Sequence, residues 1–176
     1  MRSILLGALV LLSGVAGSAL AAGGGIRVAL DAPSQSRDSG SGMVAFTVVN
    51  ESASPIHVLR WQTPLDGVES ELFDVTFNGE PVDYTGRMVK RPAPQADDYI
   101  ELKPGESRSV EVDISAYYDM RTSGPYVVQY RRDAAALVRE ADRVARAGVT
   151  ATLQLDSAAT TLWVDGAGAP LDQEAL

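Results

Sequence analysis

Apolar residues alternate with polar ones over most of this chain, and the alternation predicts strands. Ile26-Arg27-Val28-Ala29-Leu30 has the period of a half-buried strand. Met43 to Asn50 is the strongest such segment: Val44, Phe46 and Val48 share one face, and Asn50 starts a turn. Between them, Asp31 to Gly42 is rich in Ser, Gly and Asp and reads as a loop. Ile56 to Trp61 predicts a further strand, with Ile56, Val58 and Arg60 on one face and His57, Leu59 and Trp61 on the other. Thr63-Pro64-Leu65-Asp66-Gly67 ends it.

Leu72 to Phe77 is followed by Asn78-Gly79, a two-residue hairpin signal leading into Pro81 to Tyr84. Arg87 to Lys90 is read as another short strand, and Arg91 to Asp98, with two prolines and two acids, as an irregular loop. Tyr99 to Leu102 and Ser107 to Ile114 flank the turn sequence Lys103-Pro104-Gly105-Glu106. Val110, Val112 and Ile114 form one apolar stripe, and Tyr126, Val128 and Tyr130 another. The period then lengthens. Leu137, Val138, Ala141, Val144 and Ala145 predict one amphipathic helix over Asp133 to Ala147, about four turns long. Asp133 is its expected N-cap and Gly148 its stop. Its charged side (Arg139, Glu140, Asp142, Arg143 and Arg146) reads as a solvated face. Thr150 to Leu155 and Thr160 to Val164 return to strand. Nine or so short strands with turn signals between them predict a mainly β protein. The expected fold is an immunoglobulin-like antiparallel β-sandwich with one amphipathic helix in its C-terminal half.

The ends and the composition set the frame. Met1 to Ala22 reads as a secretory signal: Arg2 supplies the positive region, Ile4 to Val15 the apolar run, and Ala19-Leu20-Ala21 the cleavage pattern. The expected organisation is therefore a signal over residues 1–21, one domain over 22–165 and a flexible tail over 166–176. The apolar run is shorter than the ~20 residues that span a bilayer, so cleavage and a secreted or periplasmic location are expected. Cysteine is absent, which excludes a lipoprotein anchor and leaves stability to packing. The formal charge of −8 argues against nucleic acid or an anionic membrane as partner.

Motifs for catalysis are missing. His57 is the single histidine, and with no cysteine the chain lacks a zinc-hydrolase donor set. There is no Gly-x-Ser-x-Gly elbow and no phosphate-binding glycine loop. No catalytic, metal-ligating or cofactor-binding residue is accordingly expected. Asp97-Asp98 has the oxygen chemistry of a calcium loop without its spacing. Tyr117-Tyr118 is expected to plug an end of the sandwich, with a hydroxyl reaching a backbone group. Lys90-Arg91-Pro92 is a locally basic spot in an acidic chain, next to a loop, where function tends to sit.

Six strings fall in a recognisable order: His57 to Gly67, Leu72 to Thr76, Val82 to Pro94, Asp98 to Ser107, Val112 to Met120 and Gly124 to Tyr130. Together they resemble the N-terminal, non-catalytic region of bacterial secreted zinc endopeptidases of the deuterolysin and peptidyl-Lys metalloendopeptidase group. In that family a protease domain with a His-Glu-x-x-His helix follows; no such helix occurs before Leu176. The resemblance implies an exported pro- or accessory module acting on a protein partner, a secreted metalloprotease, as inhibitor or folding helper. Lys90, Arg91, Pro92, Pro94, Asp97 and Asp98 are the expected contact residues. Two rivals stay open: an unrecognised hydrolase, and a structural or adhesive module of the cell envelope.

Overall fold

Val44, Phe46 and Val48 are completely buried, and the strand that carries them is the centre of one sheet. In the computed structural model, which describes residues 25–32, 42–144 and 154–166, β1 (Ile26–Asp31), β2 (Met43–Asn50) and β7 (Ser107–Asp113) form an antiparallel sheet in the order β1-β2-β7. The second sheet contains β4 (Phe73–Phe77), β5 (Glu80–Pro81), β8 (Gly124–Asp133), β9 (Gln154–Asp156) and β10 (Thr160–Val164), in the order β10-β8-β4-β5 with β9 also on β8. A two-stranded sheet of β3 (Ile56–Leu59) and β6 (Tyr99–Leu102) completes the set. The signal segment, most of the 31–42 loop, the Gly148 stop and the tail beyond Gly166 lie outside the described residues.

The two larger sheets meet through aromatic rings. Phe46 of β2 stands 4.9 Å from Tyr130 of β8, centroid to centroid, and Phe73 of β4 meets the same ring edge-on at 6.2 Å. Such tilted contacts add to the gain from apolar burial. Tyr130 is fully buried, so its hydroxyl needs a partner; it donates to the Gln62 carbonyl at 2.7 Å. Burial pushes that phenol well above its ordinary range. Tyr118 is the plug that its sequence suggested. It is buried, and its hydroxyl donates to the Phe73 carbonyl and accepts from the Phe73 amide.

The hairpin between β4 and β5 has Asn78 at φ 51° and Gly79 at φ 84°. These left-handed angles match strand twist and explain that residue pair. On the far side of β8 the register slips. Asp156 faces Arg131 while Thr160 faces Val128, so residues 157–159 oppose only 129–130. This is a β-bulge. Ser157 fills it, its amide donating to the Tyr130 carbonyl at 2.9 Å and its hydroxyl accepting from the Tyr130 amide at 3.0 Å.

Three sequence expectations are corrected. The segment Ile56 to Trp61 leaves strand geometry at Arg60, where a 3-10 turn (Arg60–Gln62) begins, so Leu59 is buried along with Ile56 and Val58. Arg87 to Lys90 forms no strand. The four-turn helix is broken: α1 (Ala134–Leu137) and α2 (Glu140–Val144) flank an extended Val138 at φ −98°, ψ 136°. Val138 pairs as an isolated bridge with Val58 on the edge of β3, and the Arg139 amide donates to the His57 carbonyl at 3.0 Å. Satisfying a strand edge here outweighs helix periodicity. Asp133 does cap α1, accepting from the Ala135 amide at 2.7 Å.

Asn50 ends β2 and starts the bend that follows, and it does so as a fully buried polar residue. Its side-chain amide donates to the carbonyls of Ser54 and Leu102, both at 2.8 Å, and its oxygen accepts from the Ser52 amide and hydroxyl. It thereby ties β2 to the β2–β3 connection and to β6. Asn50→Ala should cost about 1–3 kcal/mol, the range for stranding buried partners. A fall in urea midpoint with an unchanged slope checks this.

Candidate functional site

The stretch from Thr85 to Gln95 contains no helix or strand, yet it is anchored at several points. At its start Tyr84 bridges Tyr118, and the amides of Thr85 and Gly86 donate to the Tyr117 carbonyl at 2.8 and 3.2 Å. The Tyr84 hydroxyl donates to the Arg87 carbonyl at 2.8 Å. Burial first, then the neighbouring Tyr117 and Glu71, raise the Tyr84 pKa, so it stays a neutral donor. In the middle, the Val89 amide donates to the Glu69 carbonyl at 3.1 Å. At the end, Gln95 and Asp98 form a reciprocal capping box on a 3-10 turn (Ala96–Asp98).

Arg91 is the central fastening. Its guanidinium pairs with Glu69 and lies 4.7 Å from the centroid of the Trp61 ring. Trp61, Glu69, Val89, Arg91, Pro92 and Pro94 line a shallow concavity of about 270 Å³. Of the six residues expected from the sequence, the fold brings Arg91, Pro92 and Pro94 together there. Lys90 is exposed beside them, and Asp97 and Asp98 belong to the following 3-10 turn. Asp98 is occupied by capping, and the Asp97 carbonyl accepts from Arg60 at 3.2 Å. Among the described residues, no group of three or more His, Cys, Asp or Glu is placed to hold a metal ion. Glu69 and Met88 carried no signal in the sequence. Met88 is 78% exposed at the outermost part of the stretch.

The single histidine has a structural setting. His57 Nδ1 lies 3.0 Å from Asp142 Oδ2, and the same oxygen accepts from the His57 amide at 2.7 Å. Arg139 binds the other Asp142 oxygen at 3.0 Å, and Glu101 lies 3.5 Å from His57 Nε2. Asp142 is thus no part of a solvated helix face: its side chain is only 10% exposed. It clamps α2 onto the edge of β3.

The family follows from comparison. Residues 29–131 match the model of an immunoglobulin-like domain. The chain belongs to that family. The immunoglobulin-like domain includes Trp61, Glu69 and the whole 85–98 stretch, while the Asp142 clamp lies beyond the matched residues. An extracellular protease of Aeromonas hydrophila is 37% identical over 123 residues, which are 70% of this chain and 34% of that protein. The chain therefore spans about a third of the length of that relative. It is similar to a protease-associated region, and the remainder of the relative has no counterpart in the match. Among the described residues, no helix is long and apolar enough to cross a membrane.

Two outcomes are expected. Burial works against ionisation of Asp142, but hydrogen bonds from the His57 amide, Arg139 and the His57 ring outweigh it and hold the carboxyl below its ordinary range. Its stabilising effect is therefore complete above the unfolded value, about pH 4, and is lost as pH falls through the lower folded value. Hydrogen exchange at the Arg139 amide should stay slow down to about pH 4 and quicken below it relative to the intrinsic rate. Asp142→Asn should abolish that pH dependence. Separately, Trp61→Ala or Glu69→Ala should free the loop, so that trypsin cuts after Arg87 and Lys90 roughly fivefold to tenfold faster, matching ~1 kcal/mol of lost anchoring. Peptide mapping against time measures this.

Proposed function

We propose that the chain is an exported, non-catalytic accessory module that binds a secreted protease and acts as its inhibitor or folding helper. The observation that carries this reading is the 37% identity between 70% of this chain and one third of an extracellular protease. An immunoglobulin-like sandwich supports it, because loops at the ends of a rigid scaffold are suited to protein recognition. The sequence strings resembling the deuterolysin and peptidyl-Lys metalloendopeptidase group favour a zinc endopeptidase as the partner. The secretory pattern at Met1 to Ala22 favours meeting that partner outside the cytoplasm, in the periplasm or medium. The contact surface is the 85–98 stretch, with Lys90, Pro92, Pro94, Asp97 and Asp98 available to the partner around an Arg91 that is held by Glu69 and Trp61. A segment already held in place loses less entropy on docking than a free one.

A second reading, an adhesive envelope module, draws on Trp163 and Val127, which are 59% and 40% exposed on the outer side of the second sheet. Titrating the purified chain into a casein assay with the Aeromonas hydrophila extracellular protease separates the readings. An accessory module changes the rate, or the yield of active protease after refolding, at micromolar concentration. No effect on either, with self-association on cell envelopes instead, would establish the adhesive reading. Stoichiometric zinc in the purified chain, or casein hydrolysis by it alone, would instead establish a hydrolase.

A further inference from the structure

We infer that Met88 is the anchor by which this module seats in its partner, flanked by Arg87 and Lys90 as steering charges, and that Arg91 is a buttress of the loop rather than a contact. This rests on the accessory-module reading and adds to it the point of attachment and the chemistry of the surface that receives it.

Met88 is the most exposed large apolar side chain among the described residues, at 78%. Exposure of a single apolar residue is ordinary. Its support is not. The backbone on its N-terminal side is held by the Tyr84 hydroxyl at the Arg87 carbonyl, and on its C-terminal side by the Val89 amide at the Glu69 carbonyl. Two residues further on, Arg91 is fastened to Glu69 and Trp61. A methionine is thus presented between fixed points on a segment that carries no secondary structure of its own. Long segments of that kind within a compact domain are commonly functional. A flexible thioether on a rigid support suits an apolar pocket, because it adapts its shape while the backbone adds little ordering cost.

The charges select the kind of partner. Arg87 and Lys90 are exposed and have no ion-pair partner among the described residues, whereas Arg91 is paired with Glu69. Against a chain of formal charge −8, the segment from Arg87 to Arg91 is a basic exception, with no acid of its own. A surface that accepts it presents an apolar pocket with an acidic rim, so that like-charge repulsion from the rest of the module is offset where contact is made. The occupant is a secreted protease of the kind that this chain resembles in part, at a surface outside the third that it matches.

Surface-immobilised full-length chain can be probed with the Aeromonas hydrophila extracellular protease in two forms, intact and lacking the matched stretch. Binding of either form is expected, and Met88→Asp should weaken it at least about tenfold, the size of an interface anchor. Met88→Leu should restore most of the affinity. Arg87→Glu with Lys90→Glu should slow association and flatten its dependence on salt. An unchanged melting temperature verifies that these exposed substitutions leave the fold intact. Trp163→Ser serves as the exposed control and should bind as the unaltered chain does. If the unaltered chain binds neither form, the accessory-module reading falls and this inference with it. If it binds and Met88→Asp binds equally well, or Trp163→Ser is the variant that fails, only the assignment to Met88 is overturned.

Discussion

The phenol ring of Tyr130 is the constraint on which the arrangement depends. It is fully buried, touching Phe46 of the facing sheet and Phe73, its neighbour on the adjacent strand. Its hydroxyl must be satisfied inside the protein, and the Gln62 carbonyl supplies the acceptor. That one bond sets where the 3-10 turn after β3 lies. Its backbone groups meet Ser157 in the bulge, which lets one edge of β8 carry both β9 and β10. Core packing, a turn and the last two strands therefore share one residue, and a shift at any of them would strand a buried polar group.

The same economy applies at the ends of the sandwich. Tyr118 closes one end by bonding both backbone groups of Phe73, and its neighbour Tyr117 then offers a carbonyl to Thr85 and Gly86. The exposed 85–98 stretch thus starts from a core contact. Trp61 and Glu69 hold its far side through Arg91. A loop tethered in this way can present side chains without belonging to either sheet, which is the property that a recognition surface requires. The clamp of Asp142 on His57 does a different job: it covers the outer edge of β3 with Val138 and α2.

Much of the fold was legible because it depends on short-range periodicity. The stripes Val44-Phe46-Val48 and Tyr126-Val128-Tyr130 alternate strictly, and each lies buried as that alternation demands. Asn78-Gly79 was readable because only a few residues tolerate the φ angles of that turn. The predicted helix over Asp133 to Ala147 is interrupted because Val138 satisfies helical spacing and a strand bridge equally well. Within the candidate site, Arg91, Pro92 and Pro94 are legible as part of a basic, proline-rich string. Their partners Trp61 and Glu69 lie 30 and 22 positions earlier, beyond the reach of any local pattern.

The sequence by itself determined a β-rich chain, its principal strands, two of its turns and the absence of a recognisable catalytic motif. These follow from residue type and nearest-neighbour spacing, which set side-chain direction and backbone angle. Only the tertiary structure decided that Asn50 is a buried junction, that Asp142 faces inward to His57, and that Met88 stands exposed while Arg91 is paired with Glu69. Whether a polar group is solvated or buried depends on what the rest of the chain brings against it. Over separations such as the 85 residues between His57 and Asp142, that is a property of the fold and of no local pattern.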